Sequence, residues 1–147
     1  MSVPPPINVV ADDPEERSMA ALAHASILLN LFVPGLGIIA AGAVWLTQSE
    51  RSPFAHKQAL QAAVFQTVWI ALPVVLFVVG LLMVVGGAVT ASFTDSRLGM
   101  IVLPVAIFGL MGLLAVFVLG LLYGLVGAYE AYQGRDFRYW LVGKLVH

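Results

Sequence analysis

The sequence predicts an all-α integral membrane protein, folded as a compact bundle of about four helices. Hydrophobic residues make up 61% of the 147 residues and charged residues only 10%, with a mean hydropathy of +0.97. These values lie far from the balance of soluble domains. Two long runs, residues 62–92 and 98–131, contain no charge before Glu130. Each run exceeds the roughly 20 apolar residues that a helix needs to cross the hydrocarbon layer.

The two long runs are joined by the short polar segment at residues 93–97. Lipid offers no partner for a free backbone N–H or C=O, so segments that cross it must be helical. We therefore expect the two runs to form an antiparallel transmembrane hairpin. Pro73 lies inside the first run and predicts a kink rather than an end, because neighbouring groups can bond the freed carbonyl.

The N-terminal residues 1–15 predict an extended, Pro-rich, acidic arm, and residues 16–147 a single transmembrane domain. Three consecutive prolines at positions 4–6 favour polyproline II. Asp13 before Pro14 is typical of an N-cap followed by proline in the first helical position. Glu15 and Glu16 then lie in the first turn, where the helix dipole favours anions.

The first helix is predicted to run to about Phe32, and a second apolar stretch covers residues 36–46. Both pieces are short for a full crossing. They either cross separately as thin or tilted helices, or form one crossing broken at Pro34 and Gly35. Segment length favours the broken crossing, whereas the distribution of basic residues favours two crossings.

Basic residues predict the orientation, because cytoplasmic loops carry the excess of Lys and Arg. Five of them flank the long hairpin on one side, and only Arg97 lies opposite. We therefore expect a multi-pass protein of the bacterial cytoplasmic membrane with a cytoplasmic C-terminus, and a cytoplasmic N-terminus if four helices cross. The five residues are Arg51, Lys57, Arg135, Arg138 and Lys144.

Residues 54–66 differ from the apolar runs, since Lys57, Gln58 and Gln61 lie along one stripe at helical spacing. This pattern is typical of an amphipathic segment that lies at the membrane interface and then bends into the membrane.

The last helix carries small residues at multiples of four, followed by an aromatic belt. In lipid, small residues let helix backbones approach closely, so we expect the stripe to pack on another helix of the chain or, as the alternative, on a second subunit. Aromatic residues among basic ones fit the cytoplasmic interface. The stripe is Gly112, Gly120, Gly124 and Ala128, and the belt is Tyr129, Tyr132, Phe137, Tyr139 and Trp140.

His24 is the most prominent ionisable residue, since such residues inside membrane segments are costly and often functional. Together with Arg17 it is a candidate for binding a lipid headgroup, relaying a proton or ligating a tetrapyrrole metal. The simpler expectation is a hydrogen bond to Gln66, Tyr123 or a backbone carbonyl. Asn30 and Gln66 are expected to bond between helices, and Glu130 to pair with Arg17, Arg135 or Arg138.

No residue pattern predicts catalysis. The chain lacks His-Glu-x-x-His, Gly-x-Ser-x-Gly and phosphate-loop motifs. It has no cysteine, and its three histidines are too scattered to predict a zinc site. A net charge of −1 argues against nucleic acid as a partner. We expect neither enzymatic activity nor a cofactor.

Several short motifs are similar in order and spacing to the Tic20-like family of small bacterial membrane proteins, also described as a domain of unknown function. The resemblance implies about four helices with both termini in the cytoplasm. Plastid members of that family belong to a protein-import complex, which implies membership of a larger assembly. Gln58 and Trp140 depart from the family pattern, which often has histidine and proline there. The motifs are Glu16-Arg17, Ala20, His24, Pro34-Gly35, Trp45-Leu46, Ser52-Pro53-Phe54, residues 61–66, Tyr123-Gly124 and Phe137-Arg138-Tyr139.

The preferred function is a small, non-enzymatic accessory or structural subunit of a larger membrane complex, in contact with the lipid bilayer and with protein partners. The alternatives are a transporter or protein-translocation component, and a pigment or haem binder through His24. The candidates for partner or lipid contact are Arg17, His24, Asn30, Gln66, Gly120, Tyr123, Gly124, Phe137, Arg138 and Tyr139.

Overall fold

A computed structural model describes residues 11–94, 97–140 and 142. The all-helical prediction is confirmed, since these residues form four α-helices and no β-strand. Most of the predicted arm lies outside the described residues, as do Asp95, Ser96 and Lys144, and the division at residue 15 stays a prediction. The helices are α1 (Pro14–Ala25), α2 (Leu36–Gln48), α3 (Pro53–Thr94) and α4 (Arg97–Tyr132), with a 3₁₀ segment at Ser26–Leu31 between α1 and α2.

The start of α1 is as predicted. The Asp13 carboxylate accepts a hydrogen bond from the backbone N–H of Glu15 at 2.8 Å, and Pro14 is the first helical residue. The prediction of one α-helix to Phe32 is wrong, because the chain tightens into the 3₁₀ segment at Ser26. The Ser26 hydroxyl lies 2.7 Å from the carbonyl oxygen of Ala23, a side-chain bond that competes with the regular helical pattern.

The chain reverses direction at Gly35, which has a φ of +94° that side chains rarely adopt. Helix α2 then packs back along α1, with its start at Leu36 as predicted. Buried alanines allow this close packing: Ala23 of α1, Ala41 of α2 and Ala59 of α3 belong to one cluster.

The first turns of α3 lack the exposed polar face of an amphipathic interfacial helix, so that part of the prediction is wrong. Gln58 and Gln61 are fully buried, together with Ala55 and Ala59 on the same stretch. The amide of Gln58 pairs with His24 of α1 and with residues 136–137 of the C-terminal segment, by which we mean the described residues after α4. Helix α3 continues without interruption through Pro73 to Thr94.

The chain divides into two compact units, and the boundary falls inside α3 and α4. The terminal unit contains the described residues of 11–68 and 121–142, and the central unit contains those of 69–120. In the terminal unit, α1, the 3₁₀ segment, α2, the start of α3 and the end of α4 surround a core of small and aromatic residues.

The central unit consists of apolar helix with large side chains on its surface. By length and composition, two stretches are apolar enough to cross a membrane, Pro53–Val89 and Pro104–Tyr132. The most apolar 18-residue window is 0% buried in the first stretch and 6% buried in the second. This exposure distinguishes them from the core helices of a soluble protein, which bury such surface. A groove of about 490 Å³ between α3 and α4 is lined by apolar residues, among them Phe77, Gly80 and Gly109.

Candidate functional site

A chain of hydrogen bonds begins at His24, which is 0% exposed in the terminal unit. Its Nδ1 lies 2.8 Å from the hydroxyl of Tyr139, and its Nε2 lies 2.9 Å from Oε1 of Gln58. Gln58 continues the chain, because its amide nitrogen donates to Oδ1 of Asp136 at 2.9 Å and to the carbonyl oxygen of Phe137 at 3.2 Å. We call these residues, with Lys57 and Arg138, the His24 network.

The hydrogen bonds of Gln58 fix the proton on His24. Because the Gln58 amide nitrogen donates to two oxygens, its Oε1 is left to accept, so His24 carries its proton on Nε2. Nδ1 then accepts from the Tyr139 hydroxyl. Burial lowers the pKa of His24 from 6.5 to about 4, against the raising effect of the Gln58 bond. Burial likewise raises the pKa of the Tyr139 phenol, which keeps its proton.

The network reaches the surface at Asp136. Its Oδ2 accepts from Lys57 Nζ at 3.0 Å and from the Arg138 guanidinium at 2.9 Å. Partial burial opposes ionisation of this carboxyl, but the two cations outweigh burial and lower its pKa. The network therefore links a neutral buried imidazole to an ion cluster at the surface, and joins α1, α3 and the C-terminal segment.

Aromatic rings enclose the buried end of the network. Tyr139 stacks on Phe65 with ring centroids 3.9 Å apart and an interplanar angle of 5°. Tyr123 and Phe137 meet Tyr139 edge to face, at 5.3 and 4.9 Å. Tyr139 is 1% exposed, so its predicted place in an interfacial aromatic belt is wrong. Tyr129, Tyr132 and Trp140 are exposed, as a belt requires.

The predicted side-chain partners of His24, Gln66 and Tyr123, are wrong, and the packing of α1 beside α3 explains why. The two helices run in the same direction, so positions further along one meet positions further along the other. His24 meets Gln58, and Asn30 meets Gln66. The six residues from His24 to Asn30, mostly 3₁₀, rise about 12 Å, as do the eight α-helical residues from Gln58 to Gln66.

Asn30 and Gln66 form a second buried polar cluster, in which every amide atom has a partner. Asn30 Nδ2 donates to Gln66 Oε1 at 3.0 Å, and Asn30 Oδ1 accepts from the backbone N–H groups of Gly35 and Gly37 at 3.0 and 2.9 Å. Gln66 Nε2 donates to the Ser26 hydroxyl at 3.1 Å and to the Ala23 carbonyl at 3.3 Å. The predicted interhelical bonding of Asn30 and Gln66 is confirmed.

The remaining candidates lie apart from both clusters. Arg17 Nε donates to the carbonyl oxygen of Ala11 at 2.8 Å. Gly124 packs against Ile27, where an added Cβ would lie 2.8 Å from Cδ1, and an added Cβ at Gly120 would collide with the Trp69 ring. The predicted ion pair of Glu130 forms with Arg135, at 3.1 Å.

Sequence reasoning missed Asp136 and the role of Gln58 as the link between Asp136 and His24. Asp136 stands next to Arg135 in the sequence, which by itself indicates only a solvated ion pair. Gln61, three residues from Gln58, is also fully buried, yet among the described residues neither atom of its amide has a hydrogen-bond partner.

The His24 network uses its polar atoms for hydrogen bonds within the chain. Both ring nitrogens of His24 are engaged within the chain, which leaves neither for a metal or pigment. In the part of the chain that the structure describes, no three His, Asp or Glu side chains are placed to hold a metal ion.

The fold and the site together define a small all-helical protein among the described residues. It has two exposed apolar helices, each long enough to cross a membrane, and a polar network that bonds the segment after α4 to α1 and α3. Residues 15–146 match the model of the magnetosome magnetite crystal formation protein family, MamF/MmsF, and the chain belongs to this family. No curated protein and no solved structure matches it.

This match overturns the resemblance to the Tic20-like family, which was wrong. The motifs on which it rested include Pro34-Gly35 at the turn and Phe137-Arg138-Tyr139 at the C-terminal segment. These residues take part in helix packing and turns, a role that does not by itself identify a family. The implied link to a protein-import complex falls with the resemblance.

Proposed function

We propose that this chain is a non-enzymatic integral membrane protein that acts in magnetite crystal formation as a structural or accessory component of the magnetosome membrane. The observation that carries the proposal is the family match over residues 15–146, which covers nearly the whole chain. The exposed apolar surface of α3 and α4 supports the membrane location, because such surface is stable in lipid and costly in water.

The side chains of the terminal unit support a structural role. His24 bonds to both Tyr139 and Gln58 inside the protein, and burial holds it neutral. A general acid or base needs a pKa near the working pH and access to a substrate, and His24 has neither. With these side chains paired inside the protein, we expect function to depend on the outer surface of the helices, where lipid and protein partners bind.

Charge supports one orientation of the protein. Lys57 and Arg138 belong to the ion cluster at Asp136, and Arg135 pairs with Glu130 at the same end of α4. By the positive-inside rule this end faces the cytoplasm, with both α3 and α4 crossing.

The structure does not favour the transporter alternative. A polar passage needs groups free to bind a solute, whereas the amides of Asn30 and Gln66 are used to hold helices together.

The test is complementation in a magnetosome-forming bacterium from which the gene for this protein has been deleted. We expect the wild-type chain to restore the size distribution of the magnetite crystals in electron micrographs, and to stay in the magnetosome membrane after an alkaline wash. Tyr139→Ala should fail to restore it, because it empties the centre of the terminal unit, whereas the exposed Tyr132→Ala should restore it. A chain found in the soluble fraction, or crystals that the deletion leaves unchanged, would contradict the proposal.

A further inference from the structure

We propose that the turn at residues 32–36 inserts into the lipid hydrocarbon of one leaflet, so that α1, the 3₁₀ segment and α2 form a re-entrant hairpin. Such a hairpin enters and leaves the bilayer on the side of the Lys57–Asp136 ion pair. This inference rests on the membrane location proposed above, and it names lipid acyl chains as the partner of the turn.

The side chains of the turn are suited to lipid rather than to water. Phe32 is 81% exposed and Val33 55% exposed, and Ile39 in the following helix is 70% exposed. Between Arg17 and Glu50 the sequence contains no Asp, Glu, Lys or Arg. Turns that face water are built from polar residues and glycine, whereas this one presents a large apolar surface.

The backbone N–H groups of the turn are bonded within the protein. Phe32 and Val33 donate their N–H groups to the Leu29 carbonyl, at 3.1 and 3.2 Å, and Leu36 donates to Val33 at 3.1 Å. Gly35 and Gly37 donate to the Asn30 side chain. The remaining residue of the turn is Pro34, which has no N–H.

This pairing of the N–H groups removes part of the cost of placing the turn in hydrocarbon. A backbone group without a partner costs several kcal/mol in lipid, and non-helical backbone survives there only where the protein satisfies it. Asn30 supplies the missing acceptor from inside the protein, where it is itself 6% exposed and bonded to Gln66. The hydrogen-bond donors of the turn are thus bonded within the protein while its large apolar side chains face outward, an arrangement that suits a lipid solvent.

The depth of the hairpin beyond Lys57 argues against a full crossing. Asn30 is bonded to Gln66, which lies nine residues along α3 from Lys57, a rise of about 13 Å. Helix α2, with 13 residues, is about 20 Å long. Both lengths fall short of the hydrocarbon thickness of about 30 Å. The hairpin therefore differs from both alternatives that the sequence left open, and it places Arg17 on the same side as Arg51.

The same apolar surface continues onto the neighbouring helices of the terminal unit. Val68 of α3 and Leu122 of α4 are 40% and 54% exposed. Ile27, near the tip, packs directly on Gly124 of α4. Lipid that surrounds α3 and α4 at this level therefore also meets the hairpin.

The chain has no cysteine, so single-cysteine variants report directly on the location of each position. Val33→Cys and Ile39→Cys probe the hairpin, and both side chains are largely exposed, so neither variant removes core packing. Three control variants mark one side of the membrane, the middle of α3 and the opposite side of the membrane: they are Ser49→Cys, Phe77→Cys and Ser96→Cys, in that order. Each variant is treated with a membrane-impermeant maleimide in inside-out and right-side-out vesicles, and position 33 is also spin-labelled for oxygen and nickel-complex accessibility.

We expect the cysteine at position 33 to react with the maleimide from neither side, while those at positions 49 and 96 react from opposite sides. The spin label at position 33 should be accessible to oxygen but not to the nickel complex. Reaction of position 33 from the side of position 96 would show a full crossing. Reaction from the side of position 49 would place the turn in water, and a spin label closed to both reagents would place it in a protein contact. Each of these three results overturns the inference. Labelling of position 77 would instead overturn the membrane location itself.

Discussion

Two buried glutamines of α3 should respond in opposite directions to the same substitution. Gln58 and Gln61 are both 0% exposed and stand three residues apart. Gln58 bonds to His24, Asp136 and the Phe137 carbonyl, whereas the Gln61 amide has no hydrogen-bond partner among the described residues. Leucine has a similar size and no polar atom, so each Gln→Leu variant isolates the amide.

The magnitude follows from what each amide leaves behind. Gln58→Leu leaves the buried Nε2–H of His24 without an acceptor and removes one hydrogen bond each from Asp136 and Phe137. These losses should lower the free energy of unfolding by about 2–4 kcal/mol. Gln61→Leu removes the cost of burying an unpaired amide and should raise the free energy of unfolding by about 1–3 kcal/mol. The assay is unfolding of both variants and the wild type in one mild detergent, followed by circular dichroism. A Gln61→Leu variant as destabilised as Gln58→Leu would refute the reasoning, because it would show that the Gln61 amide has a partner.

Three further predictions concern the terminal unit. His24 has a pKa of about 4 in the folded chain against 6.5 when free, so the unfolded chain binds more protons between these values and the free energy of unfolding should fall by about 3 kcal/mol as the pH drops from 7 to 4. His24→Gln should remove that dependence in a pH series of unfolding curves. Gly37→Ala should lower the free energy of unfolding by about 1–3 kcal/mol, because the added Cβ would collide with Gln66 and Asn30. Gly42→Ala on the same helix is the control: its Cβ meets nothing within 4 Å, so it should be neutral or stabilising in thermal unfolding. Tyr139→Phe should lower the free energy of unfolding by about 1–2 kcal/mol in the same assay, because it removes the hydrogen bond to His24. An unchanged stability would mean that this hydrogen bond contributes nothing.

Local features were predictable from the sequence because their causes are local. Asp13 and Pro14 start α1 by capping, and Gly35, with a φ of +94°, reverses the chain before α2. Glu130 pairs with Arg135, five residues away. Each of these depends on the conformation of a few neighbouring residues.

The partners of His24 were not predictable, because they depend on how α1 lies along α3. Tyr139 is 115 positions away in the sequence, and Gln58 is 34 away. A shift of one helical turn would present a different side chain to His24. Periodicity identifies the buried face of each helix but does not fix this register.

The polar stripe on α3 was misread for a related reason. Lys57, Gln58 and Gln61 share one helical face, and a face of this kind has the same pattern whether it meets water or buried polar groups. Asn30 and Gln66 were easier to interpret, since the surrounding apolar sequence leaves them no solvent to bond.

The position of Tyr139 has a consequence for how the protein is made. This residue follows α4 in the sequence, yet it packs on Phe65 of α3 and bonds to His24 of α1, 115 positions earlier. The N-terminal helices therefore leave the ribosome long before the side chain that completes their packing has been synthesised. The terminal unit therefore closes only after Tyr139 has been synthesised, and a nascent chain that has not reached this residue leaves His24 and Phe65 uncovered.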